Sequence, residues 1–106
     1  MIIYNVTLSL DASIEQEWLA WMKSKHMPDV MATALFRECK LSRILGEEQG
    51  GKAYSVMYVA YSQDHLDKYK SIHAATLQEE HTTRFQGKFA AFRTELKVIE
   101  EFIHEG

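Results

Sequence analysis

A histidine and an aspartate three residues apart are the first side chains whose types could do chemistry together. His26 and Asp29 lie in the segment WLAWMKSKHMPDVM, residues 18–31. A carboxylate beside an imidazole raises the pKa of the ring and fixes its tautomer, as a general base requires. The helix dipole alone also favours a histidine in a last helical turn, and Pro28 redirects the chain between the two residues. We favour a structural role for His26 and keep a catalytic role as the alternative.

Two further histidines fall on one predicted helix. His73 lies within an apolar stripe of Leu66, Tyr69 and Leu77, so its ring must find a hydrogen-bond partner in the core or line a pocket. His73 is therefore the second candidate catalytic residue. His81 follows one turn after Leu77, about 12 Å along the helix from His73, which is too far for the two to share a metal ion. We predict no metal site and keep His81 as a candidate ligand-binding residue.

The tryptophans and the last arginine have simpler interpretations. Trp18 and Trp21 recur at helical spacing and indicate core packing, although aromatic side chains also form the walls of ligand pockets. Arg93 alternates with Phe92 and Leu96, which we expect to face the core. Arg93 is therefore interpreted as part of a solvated charge ladder.

The composition is that of one ordinary soluble domain, residues 1–106. The chain is 46% hydrophobic and 25% charged, with a net charge of -3. No block of Lys and Arg could lie against phosphates, which argues against nucleic-acid binding. The single Cys39 favours a reducing compartment, no apolar run approaches the roughly 18 residues of a membrane span, and no basic leader precedes the first apolar residues. We expect a cytoplasmic protein that contacts neither nucleic acid nor membrane.

The first half of the chain reads as a strand followed by a helix. Residues 2–10 alternate between apolar and polar side chains, as a half-buried strand does. Ser13 with an amide three residues later fits a helix N-cap. Because Pro28 disfavours helical geometry at the residue before it, we expect this helix to end near His26.

The second half contains two strands, a helix and a last strand. Residues 34–45 form a strand whose apolar pattern changes phase between Leu41 and Ile44, which suggests a bulge or an edge position. The sequence GEEQGG, residues 46–51, predicts a hairpin loop, and residues 53–61 a strand that is apolar on both faces. Asp64 is the expected N-cap of the second helix, which could continue past a break at Gly87 through Phe89. Residues 91–99 form the last strand.

This order of elements predicts a ferredoxin-like βαββαβ domain of the α+β class with a four-stranded antiparallel sheet. Both helices would cover one face of the sheet, and the third strand would leave apolar side chains on the other. Pairing with a second copy covers such a patch, so we expect a homodimer. An RNA-recognition module shares the order, but its third strand carries aromatics two residues apart, whereas Tyr54 and Tyr58 are four apart.

Three stretches resemble a small family of bacterial proteins of unknown function. They are WLAWMKSKHMPDVMATALF, YSVMYVAYS and LQEEHTTRFQGKFAAFRTEL, and the likeness runs over nearly the whole chain. The family is grouped with the dimeric α/β barrels. The resemblance implies two ferredoxin-like protomers packed sheet to sheet.

More distant members of that superfamily are antibiotic-biosynthesis-type monooxygenases, haem-degrading monooxygenases and EthD-like proteins. The resemblance implies a pocket between the sheet and the helices of one protomer. The haem-degrading group uses an asparagine on the first strand, a tryptophan, and a histidine on the second helix. Asn5 and His73 lie on the matching elements, but both tryptophans lie on the first helix. The sequence departs from the haem pattern, and we predict no cofactor.

Two functions remain open. The first is a homodimer that binds or oxidises a small, oxygenated and aromatic molecule, with candidate pocket residues Asn5, Trp21, His26, His73 and His81. The second is a structural or interaction homodimer without a ligand pocket. The existence of a cavity beside these side chains distinguishes the two.

Overall fold

The computed structural model describes residues 1–46 and 51–106 and contains one antiparallel sheet of four strands. The strands are β1 Ile2–Asp11, β2 Phe36–Arg43, β3 Gly51–Ala60 and β4 Phe89–Lys97. Their order across the sheet is β2-β3-β1-β4, with the first and third strands in the centre. Both helices lie on one face. This is the ferredoxin-like α+β fold that the order of elements predicts.

The first helix runs through Pro28 instead of ending at His26. It consists of a 3-10 turn Ala12–Ile14, α1 Glu15–Trp21, a wide π-turn Met22–His26 and α2 Met27–Ala32. A proline within a helix lacks a backbone donor, and its ring presses on the carbonyl four residues earlier. In the wide turn the Met27 N–H bonds to the Met22 carbonyl, five residues back. The backbone carbonyls of the preceding turn are thus displaced from the ring of Pro28, and the helix continues.

The second helix has the same construction. It consists of α3 Gln63–Lys68, a wide π-turn Tyr69–His73 and α4 Ala74–Arg84. The chain turns away after this helix at Gly87, where φ is +76°, a value that suits glycine. The expected continuation to Phe89 is wrong, because that residue begins β4.

The caps of both helices lie two residues earlier than the sequence suggests. The Asp11 carboxylate, not Ser13, caps the first, since its Oδ1 accepts from the Ser13 N–H at 2.9 Å. Ser62, not Asp64, caps the second, and its Oγ accepts from the His65 N–H at 3.2 Å. Ser62 is in an extended conformation that lets its side chain reach the first free donors of the helix.

β2 lies at an edge of the sheet, as predicted, but its irregularity lies elsewhere. The register shifts between Phe36 and Glu38 instead of between Leu41 and Ile44. One extra residue there lets Phe36 and Cys39 both face the helices, although they are three positions apart. β3 begins at Gly51, and residues 47–50 of the predicted hairpin loop lie outside the described residues.

The side chains of β4 point to the opposite faces of the sheet from those predicted. Phe89 and Ala91 pack against the core, whereas Phe92 is 63% and Leu96 48% exposed. The register explains this, because Ala91 lies opposite the buried Leu8 on β1 and Phe92 opposite its neighbour. Side chains opposite each other share a face. We call the side of the sheet away from the helices, with Ile3, Thr7, Met57, Phe92 and Leu96, the open face.

The core lies between the two helices and the covered face of the sheet. Its largest fully buried side chains include Trp18, Phe85, Leu10 and Leu66. β3 contributes Tyr54, Val56 and Tyr58 to it, three alternate side chains that share one face of the strand. Among the described residues, no helix is long and apolar enough to cross a membrane.

Candidate functional site

A small, partly open cavity lies between the sheet and both helices. It measures about 40 Å³ and has apolar walls that include Val6, Leu8, Met22, Val56 and Phe89. Its polar wall consists of His26, Tyr4, Tyr58, Tyr69, Gln78, His81 and Arg93. The pocket that the resemblance implies is therefore present, but a cavity of this size has room for only one to about three waters.

His81 is a neutral histidine with a fixed tautomer. It is 7% exposed, and its Nε2 accepts a hydrogen bond from the Trp18 indole at 2.8 Å. Burial lowers the pKa of His81 to about 4, with smaller contributions from the charges of His26 and Arg93. A neutral ring that accepts at Nε2 carries its proton at Nδ1. His81 is therefore a hydrogen-bond donor at Nδ1.

His26 is a buried histidine with an unsatisfied nitrogen. The residue is 9% exposed, and its Nδ1 has no hydrogen-bond partner among the described residues. Burial lowers the pKa of His26 to about 4, although the Asp29 charge acts in the opposite direction. Asp29 forms its ion pair with Lys25 instead of bonding the ring. The pairing of His26 with Asp29 that the alternative, a general base, would require is not formed.

The two imidazoles lie in one aromatic cluster. Their ring centroids are 5.8 Å apart. Trp21 stacks on His26 at 5.2 Å, and Phe89 meets His81 edge-on at 4.5 Å. Trp21 itself lines a more open groove on the outer surface with Lys25 and Arg84, not the cavity. Its contribution is to hold the His26 ring in place.

Three tyrosines from three elements complete the polar wall. Burial raises the pKa of Tyr69 to about 12 and that of Tyr58 further. Burial also raises the pKa of Tyr4, against the effect of the nearby Arg93 guanidinium. The hydroxyls stay protonated at neutral pH and can donate. The Tyr4 hydroxyl accepts from Gln78 Nε2 at 3.4 Å.

Arg93 is exposed to solvent, as a charged ladder residue would be, but it also lines the cavity. It faces the helices because it lies opposite Val6, whose side chain points the same way. The prediction reversed the two faces of β4, and it therefore placed Arg93 on the face away from the helices. The tyrosines and Gln78 were missed because their residue types suggest only core packing or solvent.

Like Trp21, two further candidate residues lie away from the cavity. Asn5 is on the open face, where its side chain accepts from Ser55 at 2.6 Å and donates to Thr7 at 3.1 Å. His73 ends the second wide turn half-buried, with its ring 6.4 Å from that of Tyr69. Of the five candidates, the fold brings only His26 and His81 together at the cavity. Within residues 1–46 and 51–106, no group of three His, Cys, Asp or Glu side chains could hold a metal.

A family model described as a domain of unknown function, DUF4286, matches residues 1–99. No functionally curated protein matches the sequence. Several solved structures share the fold, and three of them illustrate its range.

A dimeric ferredoxin-like protein from an uncultured marine organism is 16% identical, with a TM-score of 0.67, over 98% of this chain and 100% of the other. An EthD family protein from Bacillus halodurans is 17% identical, with a TM-score of 0.64, over 92% and 100%. SnoaB, a cofactor-independent oxygenase from Streptomyces nogalater solved as a point mutant, is 9% identical, with a TM-score of 0.69, over 97% and 98%. At these identities the likeness establishes the fold alone.

Proposed function

The chain belongs to the DUF4286 family, and from its cavity we propose that it binds a small oxygenated molecule between the sheet and the helices. The observation that carries the proposal is that His26, whose Nδ1 has no hydrogen-bond partner among the described residues, lines the cavity. A buried polar atom without a partner costs about 1 to 3 kcal/mol. A ligand oxygen within hydrogen-bond distance of Nδ1 would remove that cost.

The size of the cavity limits how the molecule binds. At about 40 Å³ the cavity admits a polar group of a few atoms, while a whole aromatic ring needs a larger space. The polar group enters among His26, His81 and Tyr4, and the body of the molecule lies at the mouth. Tyr69 and Phe89 line the cavity with aromatic surfaces, which favours a ring-bearing ligand.

The electrostatics of the site favour binding over proton abstraction. A general base works best when its pKa lies near the working pH. Both imidazoles have pKa values lowered to about 4, so at neutral pH they are weak bases and good hydrogen-bond partners. The enzymatic form of this proposal is an oxidation of the bound molecule, as the name of one structural neighbour, a cofactor-independent oxygenase, suggests for that protein.

The second part of the proposal is a homodimer. Phe92 and Leu96 leave apolar side chains exposed on the open face of the sheet, and a second copy with the same face would cover them. One structural neighbour is named a dimeric ferredoxin-like protein. The alternative function, a structural homodimer that binds no ligand, rests on the same surface and differs only in the role of the cavity.

Ligand titration followed through Trp18 distinguishes these two functions. The indole N–H of Trp18 bonds to His81 in the cavity wall, so its NMR signal reports on the site. We expect phenol, benzyl alcohol, benzoate or benzamide to shift that signal. His26→Leu should weaken binding about tenfold or more, because it removes the polar partner and keeps a similar volume.

His73→Leu is the matched control for this titration. His73 also ends a wide turn but does not line the cavity, so its loss should leave affinity unchanged. Circular dichroism checks that both variants keep their fold. Equal binding by the wild type and His26→Leu would overturn the assignment of His26, and the absence of any shift with all four probes would support the structural homodimer.

A further inference from the structure

The cavity carries one formal charge, and that charge is positive. Arg93 is the only charged residue on its wall in the part of the chain that the structure describes, and no carboxylate faces it there. The guanidinium is ionised at every pH that proteins tolerate. A site of this kind attracts an anion to its mouth.

Arg93 has no carboxylate partner within residues 1–46 and 51–106. The guanidinium lies near the Tyr4 hydroxyl, and its charge opposes the rise in pKa that burial causes there. Glu95, two residues further along the same face of β4, accepts from Lys70 Nζ at 2.7 Å. The donors of the planar guanidinium are available to a ligand.

The neutral groups beside Arg93 also offer donors. The bond from Trp18 to Nε2 of His81 leaves Nδ1 of that ring as a donor. Tyr4, Tyr58 and Tyr69 supply hydroxyls, and Gln78 an amide. A cavity with one cation, several donors and no acidic residue on its described wall fits a group that accepts hydrogen bonds at two oxygens.

We infer that the ligand is a carboxylic acid bound as its monoanion, with its carboxylate held between Arg93 and the cavity donors. A carboxylate has about the size of the one to three waters that the cavity admits, and a planar guanidinium binds it through two parallel hydrogen bonds. This inference rests on the proposed ligand-binding function and names the class of ligand. A phosphate dianion fits less well, because Arg93 is the single cation on the described wall.

Matched anionic and neutral probes test the inference. Benzoate, benzamide and phenyl phosphate are titrated at pH 7 and low ionic strength, since salt screens a charge at the mouth. The readout is the NMR signal of the Trp18 indole. We expect benzoate to bind at least tenfold more tightly than benzamide and more tightly than phenyl phosphate.

Two variants of β4 locate the effect. Arg93→Gln should weaken benzoate binding about tenfold or more and leave benzamide binding unchanged, because only the charge-assisted bonds are lost. Lys97→Gln removes the same charge from the end of the strand, away from the cavity wall, and should change neither. The dispersed amide spectrum of each variant confirms that it is folded.

The outcomes separate the two proposals. Benzamide binding as tightly as benzoate, or benzoate binding unchanged in Arg93→Gln, would overturn the carboxylate inference and leave the ligand pocket standing. Tighter binding of phenyl phosphate would overturn it in favour of a phosphorylated ligand. If none of the three probes moved the Trp18 signal, the proposed ligand-binding function would fail as well.

Discussion

At the scale of single residues, the feature that matters most is a pair of imidazoles kept neutral by burial. His26 and His81 are each less than 10% exposed, and Arg93 adds a positive charge that disfavours their protonation. Among the described residues, the only acid acting on either ring is Asp29, whose charge raises the pKa of His26 but which is itself paired with Lys25. Neutral rings in the native state make the stability of the protein depend on pH.

We expect the free energy of unfolding to fall as the pH falls from 7 to 5. The native pKa of about 4 lies below the unfolded value near 6.5, so between these values the unfolded chain binds more protons. The stabilisation that the neutral histidines contribute is complete above pH 6.5 and is lost as the pH falls toward and through 4. The loss between pH 7 and pH 5 is on the order of 2 kcal/mol for each ring, and urea unfolding at the two pH values measures it.

His26→Leu should remove about half of this pH dependence, because one of the two rings is gone. Met22→Leu, a volume-conserving change in the same wide turn, is the control and should keep the full dependence. An unchanged slope in His26→Leu would show that the ring is not kept neutral by the fold.

At the scale of elements, the wide turns follow from the spacing of the buried residues. Trp18, Met22, His26 and Val30 are all buried and recur every four residues. In a regular α-helix four residues overshoot one turn by about 40°, so this row would drift away from the sheet. A wide turn holds more residues and keeps the row facing the core. The strict four-residue spacing was a visible signal of this turn, and Pro28 concealed it by suggesting a helix end.

The N-cap of the second helix gives a test at the same scale. Ser62→Ala should cost about 1 kcal/mol of stability, because the Oγ that accepts from the His65 N–H is lost. Asp64→Ala should cost only a few tenths of a kcal/mol, since Asp64 contributes only its charge in the first turn. Urea unfolding of both variants ranks them, and a larger cost for Asp64→Ala would mean that the helix begins where the sequence alone places it.

The sequence predicts the order of the elements well. It predicts less well which side chains of each strand face the core. β3 is apolar on both faces, so its pattern groups its side chains into two sets without showing which set faces the helices. The inward residues of β1 could be predicted because its apolar and polar side chains alternate. β4 could not, since FAAF places apolar side chains on both faces, and only the register with β1 decides between them. The position of Arg93 depends on that decision. The meeting of His26 with His81 required the packing of two helices, which no local pattern specifies.

At the scale of the whole molecule, the sheet has a covered face and an open face. The open face combines exposed apolar groups on β4 with a polar row of Asn5, Thr7 and Ser55 joined by hydrogen bonds. The polar row explains why Asn5 need not serve a ligand. Phe92 and Leu96 are the side chains whose burial against a second copy would stabilise the dimer most.

The oligomeric state should respond to a charge on this face. We expect the wild type to sediment as a dimer and Phe92→Glu as a folded monomer, because a carboxylate buried in an apolar interface is strongly unfavourable. Ile72→Glu places the same charge on an equally exposed apolar residue of the second helix and should stay dimeric. A dimer in Phe92→Glu, or a monomer in the wild type at high concentration, would contradict pairing through the open face.

The paired wide turns also bear on how the length of this chain can vary among its relatives. A π-turn is what a regular helix becomes when one residue is inserted while packing holds both of its ends. Each of the two helices therefore contains one residue more than a regular helix between the same anchor points would need. Relatives with a single-residue deletion between Met22 and His26, or between Tyr69 and His73, can keep both ends of the helix in register, so sequence alignments should place gaps inside these helices as well as in loops.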